Sequence, residues 1–184
     1  MNAADVFPLR YPGIHGESWV SGSELARLID LTPATGRFLE VGSASGATAA
    51  IVADARPNVS LVCIDAHFDA DEDRITSRDG DRSQNWRRNR RPNMSLWLGT
   101  FADFLAILPG VRFDAAFVDA GHTHNQTLEA LLASAALLAP RGVIVAHDYE
   151  NPAWPEVALA CHQFAEDGWI LAEEVGFLCS LRRT

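Results

Sequence analysis

The chain alternates between short apolar runs and helical patterns, and this alternation constrains its fold more than any other feature. Buried strands are predicted for five apolar runs: RFLEVG (37–42), SLVCIDA (60–66), SLWLG (95–99), FDAAFVDA (113–120) and GVIVAHD (142–148). Helices are predicted over 21–31, 47–55, 101–108, 125–139 and 154–167. Apolar strands that alternate with helices predict a parallel sheet covered on both faces. Two further strands, at 169–175 and 176–183, lie so close together in the chain that we expect an antiparallel hairpin.

Size and charge exclude several classes of protein. With 184 residues, 48% of them hydrophobic, residues 1–184 are expected to form one domain, with an irregular segment at 1–20. The net charge of −9 argues against binding to nucleic acid or to a membrane surface, and favours a small-molecule substrate. The chain contains no lysine, which excludes Schiff-base chemistry and a lysine general base.

The cysteines and the hydropathy pattern indicate the compartment. Cys63, Cys161 and Cys179 are far apart and lack zinc-binding or disulfide-framework spacing. No apolar segment has the length of a signal peptide or a membrane span, so we expect a cytoplasmic protein. The oligomeric state stays open, with a homo-oligomer as one alternative.

Residues 66–92 interrupt the alternation with an acidic stretch followed by a basic one. Two interpretations stay open, a solvated loop with a polar helix and a lid over the active site. The arginines at 87, 88, 90 and 91 are expected to pair with the preceding acidic stretch, with recognition of an acidic substrate as the alternative.

The turn after the first strand, RFLEVGSASG, is placed where doubly wound sheets bind ligands. Gly42 and Gly46 permit close backbone approach, but Ala44 takes the place of the middle glycine of a dinucleotide fingerprint. Glu40 would repel a phosphate and favours a cationic or amine-bearing ligand. Asp65, which ends the second strand, is placed to accept ribose hydroxyls. The alternative is a glycine turn that only packs a helix on a strand.

These motifs, LEVGSASG followed by VCIDA, resemble those of class I S-adenosylmethionine-dependent methyltransferases. The resemblance implies a Rossmann-like seven-stranded sheet whose final strand is antiparallel. It also implies a cofactor site in which Gly99 and Thr100 lie near the adenine. The full set of implied cofactor-binding residues is Glu40, Gly42, Ser43, Gly46, Asp65, Ala66, Gly99, Thr100 and Asp119.

A second group of polar residues follows the fourth and fifth strands. Asp119, His122 and His124 come after one strand, and His147 and Asp148 end the next. Since adjacent parallel strands end at the same edge of a sheet, these groups should converge over the cofactor pocket. Carboxylate and imidazole groups gathered there suit a divalent cation such as Mg²⁺.

This stretch resembles the small-molecule O-methyltransferases of the methyltransferase domain 24 type, and more remotely catechol O-methyltransferase. The resemblance implies Asp119 and Asp148 as metal ligands and His122 as the general base. His147 stands where several relatives carry an acid, so it is either a third ligand that softens the metal preference or has another role. The methyl acceptor is then expected to be a hydroxyl of a sugar, a phenol or another specialised metabolite.

Plainer roles remain for several of these residues. Asp119 could cap the next helix, Asp148 could form a turn, and His124 could be a surface loop residue beside a helix start capped by Thr123 or Asn125. Two rival functions also stay open, a noncatalytic S-adenosylmethionine-binding subunit and a metal-dependent hydrolase.

Overall fold

A computed structural model describes residues 11–65, 82–99, 103–104 and 110–184. Ala66, Thr100, most of the charged insert and most of the helix predicted over 101–108 lie outside these ranges. The described strands are β1 (Gly36–Val41), β2 (Val59–Asp65), β3 (Met94–Leu98), β4 (Phe113–Val118), β5 (Leu138–Ala146), β6 (Trp169–Glu173) and β7 (Cys179–Arg183). The helices are α1 (Gly22–Leu31), α2 (Ala47–Ala55), α3 (Arg82–Asn89), α4 (His124–Leu137) and α5 (Pro155–Ala165).

All seven strands form one sheet in the order β3-β2-β1-β4-β5-β7-β6. The neighbours from β3 to β5 are parallel, whereas β7 runs antiparallel to both β5 and β6. The doubly wound, mostly parallel sheet with its antiparallel C-terminal pair is therefore confirmed. The strand order changes direction between β1 and β4, since the chain runs outwards from β1 to β3 on one side and from β4 to β5 on the other. The carboxyl ends of β1 and β4 therefore form the switch point at which such folds bind ligands.

The sheet is buried on both faces, as its apolar strands predicted. Leu39 and Ile144 face a core shared with α4 and α5, while Phe38 and Val145 face a second core shared with α1 and α2. These four side chains are at most 1% exposed, so both sides of the central strands are closed to water.

Local signals set the helix ends. α1 begins with a capping box in which the Ser21 side chain accepts from the Glu24 backbone and Glu24 accepts from the Ser21 backbone. Thr123 caps α4, which was one of the two caps considered from the sequence, and His124 is the first residue of this helix. The start of β5 differs from prediction, because this strand begins at Leu138, directly after α4. Leu138 is buried and pairs with Phe113 of β4, and the pairing between the two strands then shifts in register before Ala115.

The described part of the charged insert is more ordered than a solvated loop. Helix α3 buries Trp86 and Asn89, and it packs beside α2. Arg91 pairs with Asp54 of α2 at 2.7 Å, and the acidic stretch with which it was expected to pair lies outside the described residues. The described part of the insert thus contains a polar helix, as the first interpretation expected, and this helix buries part of its surface against the domain.

Among the described helices, none combines the length and the hydropathy that a membrane span requires.

Candidate active site

The turn between β1 and α2 is built on two glycines that no other residue could replace without a clash. Gly42 has φ +88°, and a Cβ there would collide with the backbone carbonyl of Asp119. Gly46, at φ +72°, caps α2, and a Cβ there would collide with the Trp86 ring. Both positions therefore require glycine, for the left-handed backbone conformation and for the close packing.

Ala44 shows how the turn functions without a middle glycine. It adopts a left-handed conformation with φ +43°. Its N–H donates a hydrogen bond of 2.7 Å to Asp65 Oδ2, which ties the acid at the end of β2 to the turn. The methyl group of alanine is small enough for this strained conformation to persist when hydrogen bonds hold it.

Glu40 lies beneath the turn and is only 2% exposed. Burial, reinforced by the nearby carboxylates of Asp119 and Asp65, raises the pKa of Glu40 to about 8. Glu40 Oε2 and Ser43 Oγ are buried without a hydrogen-bond partner among the residues that the structure describes. Sequence reasoning treated Glu40 as a fixed negative charge, but its burial favours the neutral acid until a cation is bound.

Gly99 follows β3, on the far side of Asp65 from the turn. Its N–H donates to the Asp65 backbone carbonyl at 3.1 Å, and its φ of +148° is one that L side chains rarely adopt. Ala66 and Thr100, the neighbours predicted to join the site, lie outside the described residues.

The second group of polar residues does converge at the ends of β4 and β5. The Asp119 N–H donates to the Val41 carbonyl at 2.9 Å, and the His147 N–H donates to the Val118 carbonyl at 3.0 Å. These bonds continue the parallel pairing beyond the strands, so the side chains that follow are brought to one edge. A small, partly open pocket lies there, lined by Val118, Asp119, Ala120, Gly121, His122, Thr127, His147 and Val157.

His122 and Asp148 form a hydrogen-bonded pair at this pocket. His122 Nε2 lies 2.9 Å from Asp148 Oδ2, and the His122 side chain remains 33% exposed. The bond to Asp148 is the main reason why the pKa of His122 is raised above its ordinary value. An imidazole that is oriented by a buried carboxylate and still reachable from the pocket has the features of a general base.

Asp148 itself is held in a strained turn. Its backbone has φ +59°, and its Oδ1 accepts a hydrogen bond of 2.5 Å from Asn151 Nδ2. Although burial opposes it, the bond from His122 and the proximity of His147 hold the pKa of Asp148 well below its usual range. Asp148 is therefore both the turn former of the plainer interpretation and a charged member of the site.

His147 lies behind this pair, buried among three carboxylates. Its Nδ1 is 3.4 Å from Asp119 Oδ1 and 3.5 Å from Asp148 Oδ2, while its Nε2 is 3.7 Å from Glu24 Oε2. Burial opposes the charged form, yet these carboxylates together raise the pKa of His147 well above its ordinary value. The three carboxylates around the ring therefore favour the protonated form of His147.

One set of side chains can meet around a metal ion. The donor atoms of Asp119, His122 and Asp148 all lie within 4.8 Å of one another. This set includes His122 where the sequence suggested His147. Asp119 does not cap α4, because Thr123 holds that position.

Two contributors to the site were missed from the sequence. Glu24 reaches His147 from α1, and the Trp154 ring stacks on His122 with a centroid distance of 4.3 Å. Nothing in the sequence sets Glu24 apart from an ordinary helix-capping acid. Trp154 precedes a proline at a helix start, but its stacking depends on how two loops fold together.

A mostly parallel sheet with a glycine turn after its first strand, and an acid at the end of its second, defines a class I methyltransferase fold. The profile of the methyltransferase domain 24 family, described as a methyltransferase domain, matches residues 39–149. The chain belongs to this family, whose members are S-adenosylmethionine-dependent methyltransferases.

Solved structures agree on the fold. The O-methyltransferase NovP is 15% identical, with a TM-score of 0.71 over 91% of this chain and 82% of that one. A putative O-methyltransferase from Klebsiella pneumoniae is 21% identical, with a TM-score of 0.62 over 89% and 79%. TomG from Streptomyces achromogenes, an O-methyltransferase of tomaymycin synthesis in complex with S-adenosylmethionine, is 18% identical, with a TM-score of 0.58 over 90% and 82%. A search of curated protein sequences finds no significant match.

Proposed function

We propose that this protein transfers the methyl group of S-adenosylmethionine to a hydroxyl of a small molecule. One observation carries the proposal: Asp119 joins the glycine turn to the acid and histidine group. Its backbone carbonyl packs against Gly42, and its side chain lies 3.4 Å from His147. A cofactor at the turn and an acceptor at the pocket would therefore be neighbours, as direct methyl transfer requires.

The turn has the chemistry that this cofactor needs. The unpartnered oxygens of Glu40 and Ser43 suit the cofactor's ammonium group, whose charge would favour the ionised form of Glu40. Asp65 suits the ribose hydroxyls, with Gly42, Gly46, Gly99 and Asp119 lining the site. Ala66 and Thr100 complete the proposed set from the sequence alone. The bound cofactor in TomG, a protein of the same fold, supports this proposal.

We assign to His122 the role of the general base, which accepts the proton of the acceptor hydroxyl. Because Asp148 bonds to Nε2, the imidazole keeps Nδ1 as the atom that accepts a proton from the hydroxyl. Asp148 fixes the orientation of the ring and stabilises the imidazolium that forms. His147 and Glu24 hold the carboxylates of this group in place from behind.

The same residues fit a divalent cation. The hard carboxylate oxygens of Asp119 and Asp148 are the ligands that Mg²⁺ prefers, and water and acceptor oxygens would complete its shell. When bound, such an ion would lower the pKa of the acceptor hydroxyl. His147 stays the third candidate ligand that the sequence proposed, since its Nδ1 lies 3.4 Å from Asp119 Oδ1 and 3.5 Å from Asp148 Oδ2.

The acceptor is proposed to carry a ring. Trp154 covers one face of His122, which lines the pocket, and is 44% exposed, so it offers an aromatic surface near the site to a sugar or a phenol. The net charge of −9 argues against nucleic acid as substrate. The three cysteines are all unpaired, which favours the reducing cytoplasm as the location.

Transfer of labelled methyl groups tests the proposal. Wild-type protein is incubated with methyl-labelled S-adenosylmethionine and a panel of sugars and phenols, with and without EDTA. We expect label in an O-methyl product, and less of it when EDTA removes the cation. Methylation that EDTA does not slow would contradict the metal assignment alone. Label on nitrogen or carbon would contradict O-methylation.

A further inference from the structure

The side chain of Asn89, at the end of α3, makes three hydrogen bonds to the backbone of two distant segments. Its Oδ1 accepts from the His15 N–H at 2.8 Å. Its Nδ2 donates to the His15 carbonyl at 2.7 Å and to the Ser45 carbonyl at 2.9 Å. Asn89 is 0% exposed, and its bond to the Ser45 carbonyl is fully buried, whereas the two bonds to His15 are partly buried.

These bonds join residues 11–20, which we call the N-terminal segment, to the glycine turn. A second contact supports the junction, because Ser18 Oγ lies 2.9 Å from Thr48 Oγ1 on the first turn of α2. Gly16 packs against Ser45 so closely that a Cβ there would lie 2.8 Å from Ser45 Oγ. Trp86, on the same helix as Asn89, covers Gly46.

The turn held in this way includes the strained Ala44. Three hydrogen bonds fix the peptide units around it: Ala44 N–H to Asp65, Gly46 N–H to the Ser43 carbonyl, and Asn89 to the Ser45 carbonyl. A left-handed alanine persists only where its surroundings determine it fully. Asn89 supplies the bond that comes from outside the β1–α2 and β2 segments.

We infer that Asn89 is a positioning residue for the cofactor, which preorganises the glycine turn by holding it against the N-terminal segment. The inference rests on the proposed function, since it assigns cofactor affinity to a residue outside the turn. It predicts that the loss of Asn89 weakens cofactor binding without slowing the chemical step. It also predicts that the cofactor and the N-terminal segment order one another.

Calorimetry with S-adenosylhomocysteine tests the inference on the full chain. We expect Asn89→Ala to weaken affinity about tenfold, and to raise the KM for S-adenosylmethionine to the same extent with kcat unchanged. The control Asn58→Ala, an exposed asparagine in the turn before β2, should bind like wild type. A purely structural role would lower thermal stability and leave the affinity of the folded protein unchanged, which would overturn the inference.

If Asn89→Ala does not fold, hydrogen exchange of the wild-type protein tests the inference instead. Adding S-adenosylhomocysteine should slow exchange at residues 14–18 together with 43–48, and protection of the turn alone would overturn the inference. If the wild type binds no S-adenosylhomocysteine, the proposed function fails and the inference with it. If the wild type binds and Asn89→Ala binds equally well, only the inference fails.

Discussion

At the scale of single residues, the site depends on acids whose surroundings set their charge. Glu40 is buried without a positive partner and favours its neutral form, whereas Asp148 is surrounded by donors and stays ionised. Two acids at the same edge of one sheet are thus driven to opposite protonation states. In the proposed reaction, this difference separates Glu40, which would bind a cationic ligand, from Asp148, which would orient a base.

Replacing Glu40 by glutamine should stabilise the ligand-free protein increasingly as pH rises. The pKa of Glu40 is about 8 in the fold against 4.5 unfolded, so the native state keeps a proton that the unfolded chain releases. Wild-type stability therefore falls between these pH values, by at most about 1.4 kcal/mol per pH unit, and Glu40→Gln lacks this loss. Urea unfolding across this range measures the difference, with the exposed Glu166→Gln as control. A gap between wild type and Glu40→Gln that does not grow with pH would show that Glu40 is ionised in the fold.

His122→Ala should lower kcat by about 10²-fold or more, because the proton of the acceptor then has no base. The affinity for S-adenosylhomocysteine should stay within about twofold, since the loss acts on a transition-state interaction. Single-turnover methyl transfer gives the first quantity and calorimetry the second. His124→Ala, two residues away on the surface of α4, is the matched control. Equal rates for His122→Ala and wild type would assign the proton to another group.

At the scale of elements, α1 supports the active site from outside the region that the family profile matches. Glu24 caps its own helix, accepts the Phe177 N–H at 2.6 Å, and faces His147 across 3.7 Å. It thereby connects α1, the loop before β7 and the end of β5. Although burial opposes it, the contact with His147, followed by the backbone bonds, lowers the pKa of Glu24 to about 2.

Glu24→Gln should destabilise the protein by about 2 to 3 kcal/mol at neutral pH, because glutamine cannot supply the charge facing His147. The native pKa lies below the unfolded value of 4.5, so this stabilisation is complete above pH 4.5. It is lost as pH falls from 4.5 towards 2. Urea unfolding at neutral pH and at pH about 3.5 should therefore show a smaller difference at the lower pH. The exposed Glu129→Gln on α4 is the control, and a difference that does not shrink in acid would contradict the assignment.

The elements also show which parts of the fold and site the sequence could predict. Strands such as β1 and β4 are mostly apolar, so their burial and parallel pairing follow from pattern, and the acids at their ends follow from the topology. Trp86 and Asn89 could not be found in this way, because they lie in a helix rich in arginine whose packing on the glycine turn is set by tertiary contacts. The raised pKa of Glu40 could not be predicted for a similar reason. The sequence pattern places this side chain at the end of a strand but does not show how far it is buried from water.

At the scale of the whole molecule, one edge of the sheet gathers everything that the proposed reaction uses. The ends of β1, β2 and β3 supply the cofactor turn, Asp65 and Gly99, and the ends of β4 and β5 supply the acids and histidines. Helices on both faces fix these strands, so the edge is rigid while the loops that follow it carry the chemistry. The proposed reaction therefore requires that the cofactor bind at the glycine turn.

Calorimetric titration with S-adenosylhomocysteine tests this requirement most directly, in wild type, Asp65→Ala and the exposed control Asp167→Ala. We predict binding to the wild type and the control, and affinity weaker by about tenfold or more in Asp65→Ala, which loses both the ribose contact and the bond to Ala44. Absence of binding to the wild type, or equal affinity in Asp65→Ala, would contradict the assignment of the cofactor site.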